Sequence, residues 1–382
     1  MPTPPSKKEF STVIDDLQDA IDVDASDGRS VPTNMNFIDK GFLTKDSGFT
    51  LYGASEPELC HSLFLYEKKN GSRYILRAKG TKLQKYNVFD RTWTDVLNSP
   101  TLTENAELGY IVYDDELFFG NAVESLYKFD GATFTEYASA PKGNILEIFE
   151  DRLFIAGVTA EPLSVYYSNV GAPETFTGTD LVKPLGTDVV TNLKNYYGSL
   201  LIFKEESIWK QTFVYDQLTS LYIPKIESQS GTYGACSRKA VAWVENDLWF
   251  FTGQELRAIG ITDNITGALG INKTVISEDI KETLELIDNS TLTKIIVFYH
   301  NRRCYLGVAL EETEVDTLFV CHTLYKNSWT KYVDRDKSKA NGFMVIDEII
   351  YSSTGLVPYG IIKWTVETED GENINNSLST ES

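Results

Sequence analysis

The sequence predicts an all-β protein: a β-propeller of about seven four-stranded blades, with a short N-terminal helical or extended arm. Short apolar runs of Val, Ile, Tyr, Phe and Trp, broken by Gly, Asn and Asp, fill most of the chain and are typical of strands and turns. One strand motif recurs seven times, at intervals that average about 46 residues. A period of that size with three or four strands per unit favours propeller blades over a β-sandwich.

The recurring motif is a polar turn followed by a large residue that opens an apolar strand, as in Asn246–Gly253. Each copy follows another short apolar strand, and several copies precede a third strand and an aromatic-Thr turn such as Trp93-Thr94. We therefore expect the seven strands to occupy equivalent positions in seven blades. The residues that open them are Tyr74, Leu117, Leu153, Leu200, Leu248, Cys304 and Ile349.

Closure of the ring requires one more strand. A single four-stranded unit cannot bury both of its faces, whereas radial stacking between two neighbours can. The segment Gly48–Gly53 lies upstream of the first full unit, and we expect it to supply the missing strand of the last blade. Six or eight blades remain alternatives, because the longest interval, from Leu248 to Cys304, also contains a predicted helix.

Two stretches have the apolar spacing of helices, Ser6–Ile21 and Ser277–Ile287. The second begins at Ser277, the predicted N-cap, and has acidic residues in its first turn. Its apolar face consists of Ile280, Leu284 and Ile287. These patterns divide the chain into an N-terminal arm, residues 1–47, and a propeller, residues 48–382.

Composition excludes several classes of protein. The chain has 35 Lys and Arg against 55 Asp and Glu, a formal net charge of −20, which disfavours a nucleic-acid site or docking on an anionic membrane. No apolar run is long enough to span a membrane, and no apolar run follows the first lysines as in a secretory signal. We expect an acidic globular protein, without a membrane anchor, made inside a cell.

Three histidines each lie near a cysteine, which raises the question of a zinc site. The pairs are Cys60-His61, His300 with Cys304, and Cys321-His322. Thiolate and imidazole ligands suit zinc, but adjacent residues of a strand point to opposite faces, and zinc-ligand pairs are normally separated by two to four residues. We predict buried strand cysteines that are reduced and free of metal.

No other motif predicts chemistry. Asp22–Gly28 resembles the start of a calcium loop, but its Gly is one position late and Thr33 occupies the twelfth position, where Glu is required. A solvated linker is the better interpretation. The acidic segment Glu311–Glu314 fits a solvated loop, and no recognisable pair of catalytic carboxylates is present. We therefore predict no catalytic, cofactor-binding or metal-binding residues and no enzymatic activity.

Several segments resemble the β-propeller proteins of tailed-bacteriophage tails, of the nozzle and tail-hub type. The resemblance covers about residues 35–380. It is carried by Met35–Leu43, Asp46–Phe49, Arg152–Gly157, Val165–Ser168, Pro173–Phe176, Asn195–Trp209, Gly234–Ser237, Asn246–Gly253, Trp329-Thr330 and Glu369–Ile374.

This resemblance implies a non-enzymatic structural protein of the virion tail, made in the cytoplasm of the host bacterium. It implies a ring of about six copies that contacts other tail proteins and lines or caps the DNA channel, with genomic DNA only as passing cargo. An acidic lumen agrees with this role because it repels phosphates. The alternatives are a carbohydrate-binding propeller that uses aromatic platforms and, less favoured, a glycosidase with a carboxylate pair.

The N-terminal arm is expected to act in assembly. Phe10, Val13, Ile14 and Leu17 form an apolar stripe with no obvious place in a blade, and a stripe of that kind needs a partner. We expect residues 1–47 to pack against a neighbouring subunit or another tail protein. The alternative is that the helix covers the propeller's own face.

Overall fold

The computed structural model describes residues 35–364 except 38–42, 46–48, 54–57, 178–180, 219, 264–267, 272–274, 324–327, 333–338 and 356–358. It is a seven-bladed β-propeller, which confirms the predicted fold class and blade number. Every blade is a four-stranded antiparallel sheet, and blades that follow one another in sequence are neighbours in the ring. A separate two-stranded hairpin precedes the ring.

The first four blades follow the chain in order. The leading hairpin is β1 (Met35–Phe37) and β2 (Leu43–Lys45). Blade 1 contains β4 (Cys60–Glu67), β5 (Arg73–Lys79), β6 (Lys82–Asn87) and β7 (Thr92–Asp95). Blade 2 contains β8 (Gly109–Tyr113), β9 (Glu116–Gly120), β10 (Leu126–Phe129) and β11 (Phe134–Tyr137). Blade 3 contains β12 (Ile145–Phe149), β13 (Arg152–Ala156), β14 (Val165–Tyr167) and β15 (Leu181–Val182). Blade 4 contains β16 (Val190–Tyr196), β17 (Ser199–Lys204), β18 (Ile208–Asp216) and β19 (Leu221–Ser230).

The remaining three blades complete the ring. Blade 5 contains β20 (Val241–Val244), β21 (Asp247–Phe251), β22 (Leu256–Asp263) and β23 (Ala268–Ile271). Blade 6 contains β24 (Ile296–His300), β25 (Arg303–Val308), β26 (Thr317–His322) and β27 (Ser328–Tyr332). Blade 7 contains β28 (Ala340–Ile346), β29 (Ile349–Thr354), β30 (Ile361–Trp364) and, from the start of the chain, β3 (Phe49–Leu51).

The ring closes with the predicted segment. Strand β3 pairs antiparallel with β30, and Phe49 lies opposite Trp364. Blade 7 therefore combines three strands from the end of the propeller with one from its beginning. The prediction that Gly48–Gly53 supplies the missing strand is confirmed.

The seven recurring motifs occupy the second strand of their blades, as predicted. The strands that contain the opening residues are β5, β9, β13, β17, β21, β25 and β29. Each has a strand of its own blade on both edges, and the neighbouring blades cover its two faces, so its apolar side chains are buried on both faces. Leu117, Leu200 and Leu248, for example, have no exposed surface. This burial explains the apolar sequences of second strands such as β9, β17 and β21.

The hydrophobic core is divided among the contacts between blades. Each of the seven contacts has its own cluster, such as Phe64 and Leu76 of blade 1 with Leu117 and Phe119 of blade 2. The contact between blades 7 and 1 has Ile361 and Met344 against Cys60 and Leu63. Apolar burial therefore runs around the whole ring and stabilises every neighbouring pair.

The turn between the first two strands of a blade is short in most blades. In five blades it has two residues with positive φ, a geometry typical of type I′ turns. These pairs are Asp114-Asp115, Glu150-Asp151, Tyr197-Gly198, Asn301-Arg302 and Asp347-Glu348. Because strands alternate in direction, the turn between the third and fourth strands lies on the same side of the ring. We call this side the turn face. We call the opposite side, where the first strand of each blade (its inner strand) begins, the entry face.

The predicted helix Ser277–Ile287 is only partly present. A 3₁₀ turn, Glu278–Ile280, leads into a one-turn α-helix, Lys281–Leu284, and a second 3₁₀ turn follows at Asn289–Lys294. The predicted apolar face is correct, since Ile280, Leu284 and Ile287 are buried between blades 5 and 6.

Ser277 occupies the N-cap position, as predicted, but the expected capping hydrogen bond is missing. Ser277 makes no capping hydrogen bond, because its hydroxyl accepts the backbone N–H of Leu256 instead. The indole of Trp329 also donates to the carbonyl of Ile276. These tertiary bonds hold the start of the segment against the blades and override its helical periodicity.

The predictions for the start of the chain fall mainly outside the described residues. These are the helix Ser6–Ile21, with its stripe from Phe10 to Leu17, and the segment Asp22–Thr33. The boundary at residue 47 stays a prediction. Within the described part, β1 lies against β27 of blade 6. No helix of the described residues is long and apolar enough to cross a membrane.

Candidate functional site

The cysteines and histidines predicted from the sequence do not gather into one site. Cys60 and His61 are both buried; the thiol donates to the Ser62 carbonyl, and His61 Nε2 bonds with the Gly80 carbonyl at 3.1 Å. All four cysteines are free thiols. Among the described residues, no three His, Cys, Asp or Glu side chains form a group that could hold a metal ion. The metal-free state stays a prediction.

Two of these cysteines face each other across a strand pair, which the sequence did not reveal. Cys304 of β25 lies opposite Cys321 of β26, and both are fully buried. Burial raises the pKa of both thiols, so neither is readily ionised. Burial also lowers the pKa of His322, whose Nε2 bonds with the Thr330 hydroxyl at 3.0 Å. These groups behave as core residues.

The acidic loop between β25 and β26 is organised by its own hydrogen bonds. The carboxylate of Asp316 accepts the backbone N–H groups of Leu310, Glu311 and Glu312. Glu314 pairs with Lys294 at 2.5 Å. The segment Glu311–Glu314 is therefore a structured turn, rather than the simply solvated loop that its composition predicted.

The entry face carries a charged cluster at the centre of the ring, formed by Glu107, Arg238 and Lys239. Glu107 precedes the inner strand of blade 2, whereas Arg238 and Lys239 precede that of blade 5. One carboxylate oxygen lies 2.6 Å from Arg238 Nη2, and the other lies 2.6 Å from Lys239 Nζ. We call these three residues the mouth cluster.

The mouth cluster is also tied to other blades. Arg238 Nη1 donates to the carbonyls of Leu108 and Asn144, at 3.0 and 3.3 Å. Lys239 Nζ donates to the carbonyl of Asn341 in blade 7 at 2.7 Å. The side-chain amide of Asn192 in blade 4 donates to the Arg238 carbonyl. Five of the seven blades are thus joined at the mouth of the central channel.

The electrostatics of the mouth cluster follow from one anion between two cations. Burial alone would raise the pKa of Glu107, but Lys239 and Arg238 hold it down at about 2. Burial lowers the pKa of Lys239, as does the neighbouring Arg238 cation, while Glu107 opposes both effects. The three side chains are 20–31% exposed, so they face a narrow solvent-filled opening rather than dry protein.

Close backbone packing allows the blades to meet at this mouth. A Cβ atom on Gly109, the first residue of β8, would overlap the backbone carbonyl of Asn144. Only glycine fits there, because the inner strand of blade 2 runs directly against the start of blade 3. This contact brings Glu107 and Leu108 close enough to receive Arg238 from across the ring.

The turn face has a different character. Its turns carry seven carboxylates around the other end of the channel: Asp114, Asp115, Glu150, Asp151, Glu245, Asp347 and Glu348. Beside them lies an aromatic pair from blades 4 and 5. Tyr197 is 56% exposed and Trp243 is 40% exposed, with ring centroids 5.9 Å apart. We call Tyr197 and Trp243 the aromatic platform; buried Tyr196 stacks beneath Trp243 and donates to the Asn246 carbonyl.

Carboxylates with a raised pKa are the other candidates for chemistry. Burial raises the pKa of Glu147 on β12, where Lys194 is the nearby charge. Burial, together with Glu245, raises the pKa of Asp247 at the start of β21. The two groups belong to blades 3 and 5, and a cation rather than a second carboxylate accompanies Glu147. This arrangement differs from the carboxylate pair of glycoside hydrolysis.

Three solved structures are similar to this chain at low sequence identity. The computationally designed Ika8 protein is 12% identical, matches 84% of this chain and 100% of its own, and has a TM-score of 0.49. The extracellular domain of a protein described as a hybrid two component system from B. thetaiotaomicron is 8% identical. It matches 84% of this chain and 40% of its own, with a TM-score of 0.53. PorZ, a surface component of the type-IX secretion system of Porphyromonas gingivalis, is 11% identical. It matches 82% of this chain and 37% of its own, with a TM-score of 0.46.

The two natural proteins are much longer than the matched region, so this chain spans about two fifths of their length. None of the three is a phage-tail protein. No protein-family model and no curated protein matches the sequence. The likeness to the B. thetaiotaomicron domain concerns the fold alone, and the seven blades are given by the sheet topology of this chain.

Proposed function

We propose that this chain is a non-enzymatic structural protein of a bacteriophage tail, a nozzle or hub subunit that forms a ring of about six copies. The observation that carries the proposal is the resemblance of segments spread along the chain to propellers of that class. Three of those segments fall on equivalent parts of blades 3, 4 and 5: Arg152–Gly157, Asn195–Trp209 and Asn246–Gly253.

The mouth cluster supports a role without a substrate. The centre of a propeller is a common place for a ligand, but here protein side chains cross the channel and satisfy one another. In this proposal the DNA passes through the lumen of the ring of copies, not through the channel of one propeller. The net charge of −20 suits a surface along which phosphates slide without binding.

Analysis of purified virions tests the proposal. Antibodies raised against the propeller should label the tail, and mass spectrometry should find the chain at about six copies per particle. Absence of the chain from purified particles, while it accumulates in infected cells, would contradict a virion role.

A deletion tests the proposed role of the arm. Removing residues 1–30 leaves β3 in place, so the propeller should still fold. The truncated chain should fail to enter tails. Assembly into infectious particles at normal yield would show that the arm is not an assembly element.

The aromatic platform favours a second candidate, a carbohydrate-binding propeller at the tail surface. Exposed aromatic rings fixed by packing offer apolar faces for sugars. Wild-type protein on a glycan array should then bind, and Trp243→Ala should lose binding. Phe89→Ala, which removes an exposed aromatic ring from blade 1, is the matched control. No binding by the wild type would dismiss this candidate.

A further inference from the structure

Blade 4 carries a hairpin that extends beyond the ring. Strands β18 and β19 have 9 and 10 residues, whereas the third and fourth strands of blade 2 have 4 each. Near the base, Phe213 and Ile226 pack on the core between blades 3 and 4. From residue 214 to residue 223, leaving out residue 219, the side chains on both faces of the hairpin are largely exposed. We call residues 214–223 the hairpin tip.

The hairpin tip is mostly apolar, and Asp216 is its one charged residue. Its large exposed side chains are Val214, Tyr215, Leu218, Leu221, Tyr222 and Ile223, between 43% and 96% exposed. Together they expose on the order of 600 Å² of mostly apolar surface, most of the about 800 Å² that one partner contributes to a standard interface. Over the whole hairpin, Lys210 and Lys225 balance Asp216 and Glu227.

A second exposed apolar feature lies on blade 1. The turn between β6 and β7 presents Val88 and Phe89, which are 65% and 98% exposed. It is also neutral, because Asp90 and Arg91 follow directly. Both features join the third and fourth strands of their blades, so both lie on the turn face. Blades 1 and 4 are three positions apart among seven, on widely separated sides of the ring.

We propose that copies of this chain associate head to tail, with the hairpin tip of one copy bound to the Val88-Phe89 turn of the next. Two copies that each carry a large negative charge repel one another unless they meet where that charge is locally absent. The turn is neutral, and the whole hairpin is neutral with Asp216 as the one charge at its tip, so both are places of low local charge. Different patches on separated blades make a heterologous contact, which generates rings when the rotation closes. That this contact occurs in a tail ring rests on the proposed function.

The test uses full-length protein and two double variants. Leu218→Asp with Tyr222→Asp disables the tip, and Val88→Asp with Phe89→Asp disables the turn. Leu185→Asp with Leu286→Asp is the matched control, because it places the same charges on exposed leucines elsewhere. Sedimentation velocity and light scattering measure the mass over a broad range of concentration, and circular dichroism checks that each variant folds.

Wild type and control should form oligomers, and each of the two interface variants alone should be a 43.0 kDa monomer. An equal mixture of the two variants should form a one-to-one dimer and nothing larger, because one intact tip meets one intact turn. A monomeric wild type would overturn the proposal. So would a turn variant that still self-associates, which would indicate contact between two tips.

The outcomes separate this contact from the proposed function. Head-to-tail oligomers of a chain that is absent from virions would sustain the contact and reject the tail role. Tip and turn variants that assemble into virions at wild-type yield would reject the contact and leave the tail role standing.

Discussion

The mouth cluster and the hairpin tip differ in the side chains that they present, although both belong to a strongly acidic chain. At the mouth, Glu107 lies between Arg238 and Lys239, and these side chains bond to other blades. At the tip, apolar side chains such as Leu218 and Tyr222 are exposed. Paired charges join blades across the ring at the mouth, whereas apolar surface is exposed where we propose that copies join.

This difference separates stability from association. Loss of a paired charge at the mouth leaves other charges without a partner, which is costly in a partly buried place. Loss of an exposed apolar side chain at the tip costs the folded monomer little. We therefore expect mouth substitutions to change the free energy of unfolding, and tip substitutions to change only the mass of the assembly.

The largest effect is expected where the blades touch behind the mouth cluster. Gly109→Ala would drive a methyl group into the backbone of Asn144 and should lower the free energy of unfolding by about 4 kcal/mol or more. Urea denaturation measures the change. Gly231→Ala is the control, because no atom lies within 4 Å of a Cβ at that position. Equal effects of the two substitutions would show that the close contact is unimportant.

Glu107→Gln should give the next largest effect. It removes the only carboxylate of the mouth cluster and leaves two cations side by side, at a cost of about 2–4 kcal/mol. Lys69→Gln is the control, since it removes one partner of the exposed pair with Asp114, where solvent screens the charges, and should cost much less. A loss for Glu107→Gln as small as that of the control would mean that solvent screens the mouth fully.

The pH dependence of the free energy of unfolding also tests the role of Glu107. The pKa of Glu107 falls from its ordinary 4.5 to about 2 on folding. A depressed carboxyl pKa contributes stability above about pH 4.5, and this contribution is lost as the pH falls toward 2. The stability difference between wild type and Glu107→Gln should therefore shrink over that range. A difference that stays constant down to pH 2 would contradict the assigned role of the carboxylate.

The sequence predicted the fold better than the site, for a physical reason. Propeller blades arise from local turns and strands, so the seven motifs and the closing segment Gly48–Gly53 were recognisable. The mouth cluster joins Glu107 to Arg238 across the ring, and no local pattern reports a contact 131 residues apart. The missing capping bond at Ser277 has the same origin, because its hydroxyl bonds instead to Leu256 of β22, 21 residues away.

The hairpin tip was visible in principle. Apolar residues continue on both sides of the short turn at residues 217–220, over a length that one blade does not need. Sequence periodicity identifies such strands but does not show whether they lie inside a sheet or extend beyond it. Only the packing of the blades reveals that the described residues of the hairpin tip are largely exposed.

The smallest effect on stability is expected at the hairpin tip. Leu218→Ser with Tyr222→Ser should change the free energy of unfolding of the monomer by no more than about 0.5 kcal/mol per residue. Urea denaturation at low protein concentration measures this change, and Phe213→Ser at the buried base of the hairpin is the contrasting variant. A large loss from the tip variant would show that the tip stabilises the ring itself.

Hydrogen exchange of the full-length protein at low and high concentration tests the separation of the two regions most directly. Residues 214–223 and 87–91 should exchange quickly when dilute and gain protection together when concentrated. The segments around Glu107 and Arg238 should be protected equally at both concentrations. Protection at the tip and the turn that does not depend on concentration, or a change confined to the mouth, would contradict the account.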